Sequence, residues 1–243
     1  MRKTYTILGV IAVVVLVIYS LIPDSFFVES VYPLEEGMFV TNYDDRADGG
    51  FSNASLVMND TSMKFECTLG TDTTAAAWCG MLWNFDPDTL ENYRNWIFVD
   101  SLIFDVETSG TDEILVKLWA YDPDVTDVKK PKTFRLLMKE VKVSGGRERI
   151  VVPMEQFYTP DFWYEDAHVD KELNKRHQES MARVEIAPGW NQPRGKTFSI
   201  VFHEVSAKGL SNFWFGAVLF AFLGITIVAV GFRHHKKNED KED

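Results

Sequence analysis

Apolar residues run almost unbroken from Ile7 to Ile22 and again from Phe213 to Phe232, and between these runs they alternate with polar ones. Each run is close to the ~20 residues a helix needs to cross roughly 30 Å of hydrocarbon. Arg2 and Lys3 precede the first, while Arg233, Lys236 and Lys237 follow the second. Basic flanks stay cytoplasmic, so the pattern predicts a two-pass protein of the cytoplasmic (inner) membrane with its middle outside the cytoplasm. The expected division is a cytoplasmic N-terminus at 1–6, a transmembrane helix at 7–22, an extracytoplasmic domain at 23–212, a transmembrane helix at 213–232 and a short cytoplasmic tail at 233–243. The first run also has the outline of a secretory signal peptide. Ile18 is large for the minus-three position of a cleavage after Ser20, so an uncleaved signal anchor is expected.

Inside the exported part the period is two. Met63–Leu69, Ala75–Trp83, Trp96–Val106, Glu113–Tyr121, Thr133–Val143, Arg147–Pro153, Arg183–Ala187 and Thr197–Val205 read as strands. Turn-forming stretches separate them, such as Asp-Pro-Asp after Tyr121 and Ser-Gly-Gly after Val143, and short strands so punctuated predict an antiparallel all-β sandwich. Two helices are expected, a short one within Asp86–Asn95 and a longer one from Val169 to Met181, where Lys, Glu, Gln and Arg dominate. In Glu113–Tyr121 the alternation puts Ile114, Val116, Leu118 and Ala120 toward the core, and Leu115, Lys117, Trp119 and Tyr121 on the other side. Leu102, Phe104 and Val106 likewise oppose Ser101, Ile103 and Asp105. These second sides, mixed polar and aromatic, are where a ligand is expected.

Charge narrows the partners. The chain carries a formal −11, and the exported part holds about 19 basic against 32 acidic residues. Such a surface repels phosphate backbones, so no nucleic-acid partner is expected. Cys67 and Cys79 both lie in the exported part, where oxidation is permitted, on apolar runs joined by Gly-Thr-Asp-Thr-Thr. A hairpin bringing them together would allow a disulfide; two buried thiols are the alternative.

Asp44-Asp45-Arg46-Ala47-Asp48-Gly49-Gly50-Phe51-Ser52 resembles the acidic, glycine- and serine-containing opening of galactose-binding-like jelly rolls. Asp100–Val106 and Ile150–Trp163 are similar to segments of family-eleven-type carbohydrate-binding modules and of the complex I intermediate-associated protein family. The resemblance spans roughly Phe39 to Val205. It implies a jelly-roll sandwich whose concave face holds sugars by aromatic stacking and polar contacts. On that expectation Trp119 and Tyr121 are the first candidate platforms, with Lys117 and Asp105 as polar neighbours, Arg135 and His203 from other strands, and Trp190 as a further exposed contact. Trp163 reads as packing. Jelly rolls of this class often carry a structural calcium, for which Asp44, Asp45 and Asp48 are suitable oxygen donors. The loop is not an EF-hand, since Arg46 and Ser55 stand where that motif needs other ligands. No other cofactor is expected.

No nucleophile elbow, zinc-protease helix or phosphate-binding glycine loop is present, and His168, His177 and His203 are isolated. The expected protein is therefore not an enzyme but a membrane-anchored ligand-binding module, with carbohydrate as the ligand. Related sandwiches occur as input domains of bacterial membrane sensors. The eleven-residue tail is too short for an output domain, so a membrane-protein partner is expected, with Ala217 and Ala221 as a small-x-x-x-small pair for helix packing. An interaction scaffold or assembly factor is the alternative; an exported glycoside hydrolase would need two convergent carboxylates.

Overall fold

A computed structural model describes residues 2–22, 25–85 and 93–239. They fall into two compact units: one comprising Met1–Phe27 and Gly209–Asp243, the other Val28–Lys208.

The larger unit is a sandwich of two antiparallel sheets. Its strands are β1 (Phe27–Tyr32), β2 (Phe39–Asp44), β3 (Asn53–Met58), β4 (Met63–Thr68), β5 (Cys79–Asn84), β6 (Val99–Ser109), β7 (Glu113–Ala120), β8 (Arg135–Lys142), β9 (Gly146–Pro153), β10 (Met181–Pro188) and β11 (Thr197–Gly209). One sheet runs β3-β4-β11-β6-β9, with β1 also paired to β11; the other runs β2-β5-β10-β7-β8. The inward alternation predicted for β6 and β7 is present: Leu102, Phe104, Val106, Ile114, Val116, Leu118 and Ala120 are all buried. Trp83 meets Phe202 edge-on at 5.1 Å between ring centroids, and Phe65 meets Phe198 at 5.9 Å. Each such side chain contributes roughly 1.5–3 kcal/mol through burial, so this inter-sheet layer dominates the stability.

Three strands have no counterpart in the sequence reading. Of these, β2 and β3 are sheet edges with only partial burial along their lengths, so their apolar and polar residues do not alternate cleanly. The helix expected at Val169–Met181 does not form. Instead α2 spans Asp161–Ala167 and ends at His168, whose φ of 56° is left-handed, and the chain then turns until a 3-10 turn at Gln178–Ser180. Propensity favoured 169–181, but packing favoured α2, which buries Trp163 and Tyr164. The other expected helix, within Asp86–Asn95, lies mostly outside the described residues; at its end Arg94 forms a β-bridge to Met181.

A disulfide joins Cys67 to Cys79, with 6.5 Å between Cα atoms. The two cysteines do not form a hairpin: β4 and β5 belong to opposite sheets, so the bond ties the layers together. Both residues are 1% exposed. Replacing both with alanine is expected to lower the unfolding free energy by about 2–4 kcal/mol, seen as an earlier guanidinium midpoint.

The smaller unit contains α1 (Arg2–Leu21) and α3 (Phe213–Glu239), which pack on one another. In α3, Phe213–Arg233 has 21 residues and a mean hydropathy of 2.4, long and apolar enough to cross a bilayer by length and composition. The apolar part of α1, Tyr5–Leu21, is shorter. Ala217 and Ala221 face Val15, Ile18, Tyr19 and Ile22 across a shallow groove of about 190 Å³, so the small pair accommodates α1.

Candidate functional site

Among the described residues, the outward face of the β2-β5-β10-β7-β8 sheet is covered at one side only. Over β8, Trp163 and Tyr164 of α2 pack on Leu136, and Trp119, Val125, Ala167 and Val169 close around them. Met138 and Tyr158 exchange backbone hydrogen bonds of 2.7 and 3.0 Å, which lays the segment before α2 along the β8 edge. Beside this cover the sheet stays open as a groove of about 530 Å³, within the range of small-ligand sites.

Strand register assembles the groove. Thr41 is opposite Leu82, Leu82 opposite Glu185 and Glu185 opposite Lys117, forming one row across β2, β5, β10 and β7. The next row places Arg183 opposite Trp119. Alternation on β10 turns Val184 and Ile186 inward, so Arg183 and Glu185 face outward.

Glu185 is the hub. It is 5% exposed, and its Oε1 accepts from Lys117 Nζ at 2.7 Å and from the Tyr43 hydroxyl, while its Oε2 accepts from Trp119 Nε1 at 2.7 Å. One carboxylate thereby orients a cation, a phenol and an indole from three directions. Burial, and then the negative charge of Glu185, pushes the Tyr43 phenol well above its ordinary value and keeps it a donor. Tyr43 reaches Glu185 by lying over Gly80, where a Cβ would come within 2.3 Å of its hydroxyl. Only glycine leaves that path open.

The aromatic side chains are held from behind. Tyr43 and Trp78 lie with ring centroids 5.7 Å apart and form one wall group. The Trp78 backbone N–H donates to Asp45 Oδ2 at 3.2 Å, and the same buried carboxylate accepts from the Ser52 N–H at 2.7 Å and the Ser52 hydroxyl at 2.6 Å. Burial alone would raise the Asp45 carboxyl, yet the Ser52 and Trp78 donors hold it below its ordinary value. Trp119 rests against the α2 cluster, and Pro131 and Lys132 add to the lining.

Of the residues singled out from sequence as sugar contacts, Trp119 and Lys117 line this groove and the others do not. Tyr121 stacks on Tyr93 at 5.3 Å with 14° between planes and packs edge-on against Phe134, an internal role. Arg135, 1% exposed, donates through Nε and Nη2 to Asp122 Oδ2 at 3.1 and 2.5 Å beneath the Trp163 ring, so it is a structural ion. Asp105 and His203 belong to β6 and β11 of the opposite sheet. There Asp105 takes Arg147 Nε and Nη2 at 3.0 and 2.7 Å, and that guanidinium holds its carboxyl below the ordinary range. The second sides of β6 and β7 therefore belong to two different surfaces. Trp190 is 61% exposed, donates Nε1 to Glu140 at 3.3 Å and lies edge-on to Phe162, away from the groove lining.

The loop weighed for calcium has other work. Asp44 accepts from Arg46 and from the Ala54 N–H, Asp45 secures Ser52 and Trp78, and Asp48 lies on the groove lining. Among the described residues no group of three or more His, Cys, Asp or Glu is placed to hold a metal.

Tyr43, Trp78, Leu82, Arg183 and Glu185 were not anticipated. A signal for the last two existed: a cation and an acid two residues apart on an otherwise apolar strand must share its outward face.

No protein-family model and no curated protein matches this chain. Among solved structures, the family 11 carbohydrate-binding module of the cellulosomal cellulase Lic26A-Cel5E of Clostridium thermocellum overlaps it with a TM-score of 0.49 and 12% identity, over 75% of this chain and 94% of that one. A family 11 module from the same organism in complex with a beta-1,3-1,4-mixed-linked tetrasaccharide gives a TM-score of 0.48 at 12% identity, over the same shares of the two chains. An agarase, AgWH50C, gives 0.43 at 5% identity, over 75% of this chain and 24% of that one. Overlap of this degree leaves ligand and reaction to be argued from the groove.

Proposed function

We propose that this protein is a non-catalytic, membrane-anchored module that binds carbohydrate in the groove over β2, β5, β10 and β7. The observation that carries the reading is the Glu185 hub between aromatic side chains: Trp119 is held to it on one side and Tyr43, with Trp78 behind it, on the other. A sugar ring presents an apolar C–H face to an indole and needs fixed donors and acceptors for its hydroxyls, and the groove supplies both. Binding is favoured over hydrolysis because Glu185 already accepts from three donors, whereas a glycosidase needs one carboxyl free to give up a proton and a second to attack or activate water.

In this reading α3 is the anchor, α1 is its second span or signal anchor, and the sandwich lies outside the cytoplasm. The basic flanks of the apolar runs and the inter-sheet disulfide, a bond that persists in oxidising compartments, support that placement. A sensor role would pass the signal to a membrane partner. A second reading, a docking scaffold for another protein, draws on Trp190 and Phe162, which are exposed side by side.

The test is calorimetric titration of the detergent-solubilised chain with plant and bacterial oligosaccharides. Trp119→Ala is expected to weaken binding by about 2 kcal/mol, on the order of thirtyfold. Equal affinity of wild type and variant would remove the groove from the reading, and no binding to any glycan would favour the scaffold.

A further inference from the structure

Arg183 lines the groove beside Glu185 but is not among the donors that Glu185 accepts from. Its guanidinium carbon lies 4.7 Å from the centroid of the Phe134 ring, and its Nε is buried with no hydrogen-bond partner among the described residues. Among the described residues no carboxylate forms an ion pair with it, although the exported part is rich in acids. Two other cations line the same groove, Lys117 and Lys132, against two acids, Glu185 and Asp48. Lys117 and Glu185 neutralise one another at 2.7 Å. What remains over the groove is Arg183 and Lys132 facing Asp48, a cationic balance in a domain whose overall charge is acidic.

A guanidinium backed by an aromatic ring has its plane set before any ligand arrives. Its fork of donors matches a carboxylate or sulfate, which take two parallel hydrogen bonds, better than a single sugar hydroxyl. Burial lowers the Arg183 pKa, the cost of keeping this cation where water solvates it poorly, and a ligand anion would offset that cost.

We infer that the groove selects an acidic glycan, with the carboxylate of a uronic acid residue seated on Arg183 and Lys132 as a second, more exposed cation. This rests on the saccharide reading above and names its ligand class. The aromatic side chains take the C–H faces of the chain, and Arg183 sets which ring carries the charge.

The test titrates the full chain in detergent with oligogalacturonides and oligoglucuronates, each beside its carboxyl-reduced, neutral counterpart, at low and high salt. The acidic form is expected to bind at least about tenfold more tightly at low salt, in line with hydrogen bonds to a charged group, and the advantage is expected to shrink as salt rises. Arg183→Met is expected to bring the two forms within about twofold of each other, and Arg183→Lys to restore part of the preference, because it returns the charge without the fork. Lys132→Ala, at an exposed position, gives a smaller loss of preference and serves if Arg183→Met does not fold. Equal binding of acidic and neutral forms, or tighter binding of the neutral ones, overturns the acidic ligand and leaves the saccharide reading standing. No binding of either form overturns both.

Discussion

Asp122→Ala is expected to destabilise the sandwich by about 3–5 kcal/mol, among the largest effects of any single polar substitution in this chain. Asp122 and Arg135 are each 1% exposed, and the Asp122 carboxylate accepts two bonds from Arg135 through Oδ2 and the Asp124 N–H at 3.0 Å through Oδ1. His177 Nε2 also lies 3.5 Å from Oδ1. Removing the acid leaves a guanidinium buried against Trp163 and Tyr164 with no carboxylate to balance its charge. The loss comes from that orphaned ion more than from the strength of the pair. Replacing both partners, Asp122→Leu with Arg135→Met, should therefore recover much of the stability. The exposed pair Arg147–Asp105 supplies the contrast: at 59% and 29% side-chain exposure its removal is expected to shift the unfolding midpoint far less than Asp122→Ala does. Guanidinium unfolding of Asp122→Ala, the double variant and Asp105→Ala checks this. An Asp122→Ala protein as stable as an Asp105→Ala protein would mean that Arg135 is solvated or otherwise paired.

Glu185→Ala is expected to remove detectable ligand binding, a loss of at least about 3 kcal/mol or on the order of a hundredfold. The substitution releases three groups at once: the Lys117 ammonium loses its counter-charge, the Trp119 indole its anchor and the Tyr43 hydroxyl its acceptor. A groove whose walls rotate freely must order them again whenever ligand binds, and the rotamer entropy of those side chains then opposes affinity. Stability should fall as well, because Lys117 is only 18% exposed in its side chain. The paired replacement Glu185→Leu with Lys117→Met separates the two consequences. It is expected to restore most of the stability, since no unpaired charge remains, and none of the binding. If the double variant binds glycans as well as wild type, Glu185 is a packing feature and the groove is not the site.

Placed beside one another, the two carboxylates explain why part of the candidate site was legible in the sequence and part was not. Trp119 and Lys117 stand out because β7 alternates cleanly, and a tryptophan and a lysine on the side opposite Ile114, Val116 and Leu118 are conspicuous. Arg135 looked equally available. It stands at the start of neighbouring β8 opposite inward-facing Ala120, where Asp122 pairs with it and Trp163 and Tyr164 of α2 pack against it, and nothing in the local pattern of Thr133–Val143 tells which charges will be enclosed. Tyr121 was lost to Tyr93 and Phe134 in the same way. His203 and Asp105 lie away from the groove for a topological reason: strands adjacent in sequence, β6 and β7 or β10 and β11, belong to different sheets, so their second sides look in opposite directions. The cysteine pair has the same origin, since β4 and β5 follow one another in the chain but lie in opposite layers.

Hydrophobic periodicity was enough to establish the two apolar runs, most strands of an antiparallel sandwich and the core faces of β6 and β7, because these depend on which residues leave water, a property each segment carries locally. The partners of each outward charge depend on which strands become neighbours, where Gly80 lets Tyr43 cross β5, and which surface α2 covers. Those are long-range pairings, settled when the whole chain packs. They bury Asp122 with Arg135 as structure and leave Glu185, Lys117 and Arg183 at an open groove.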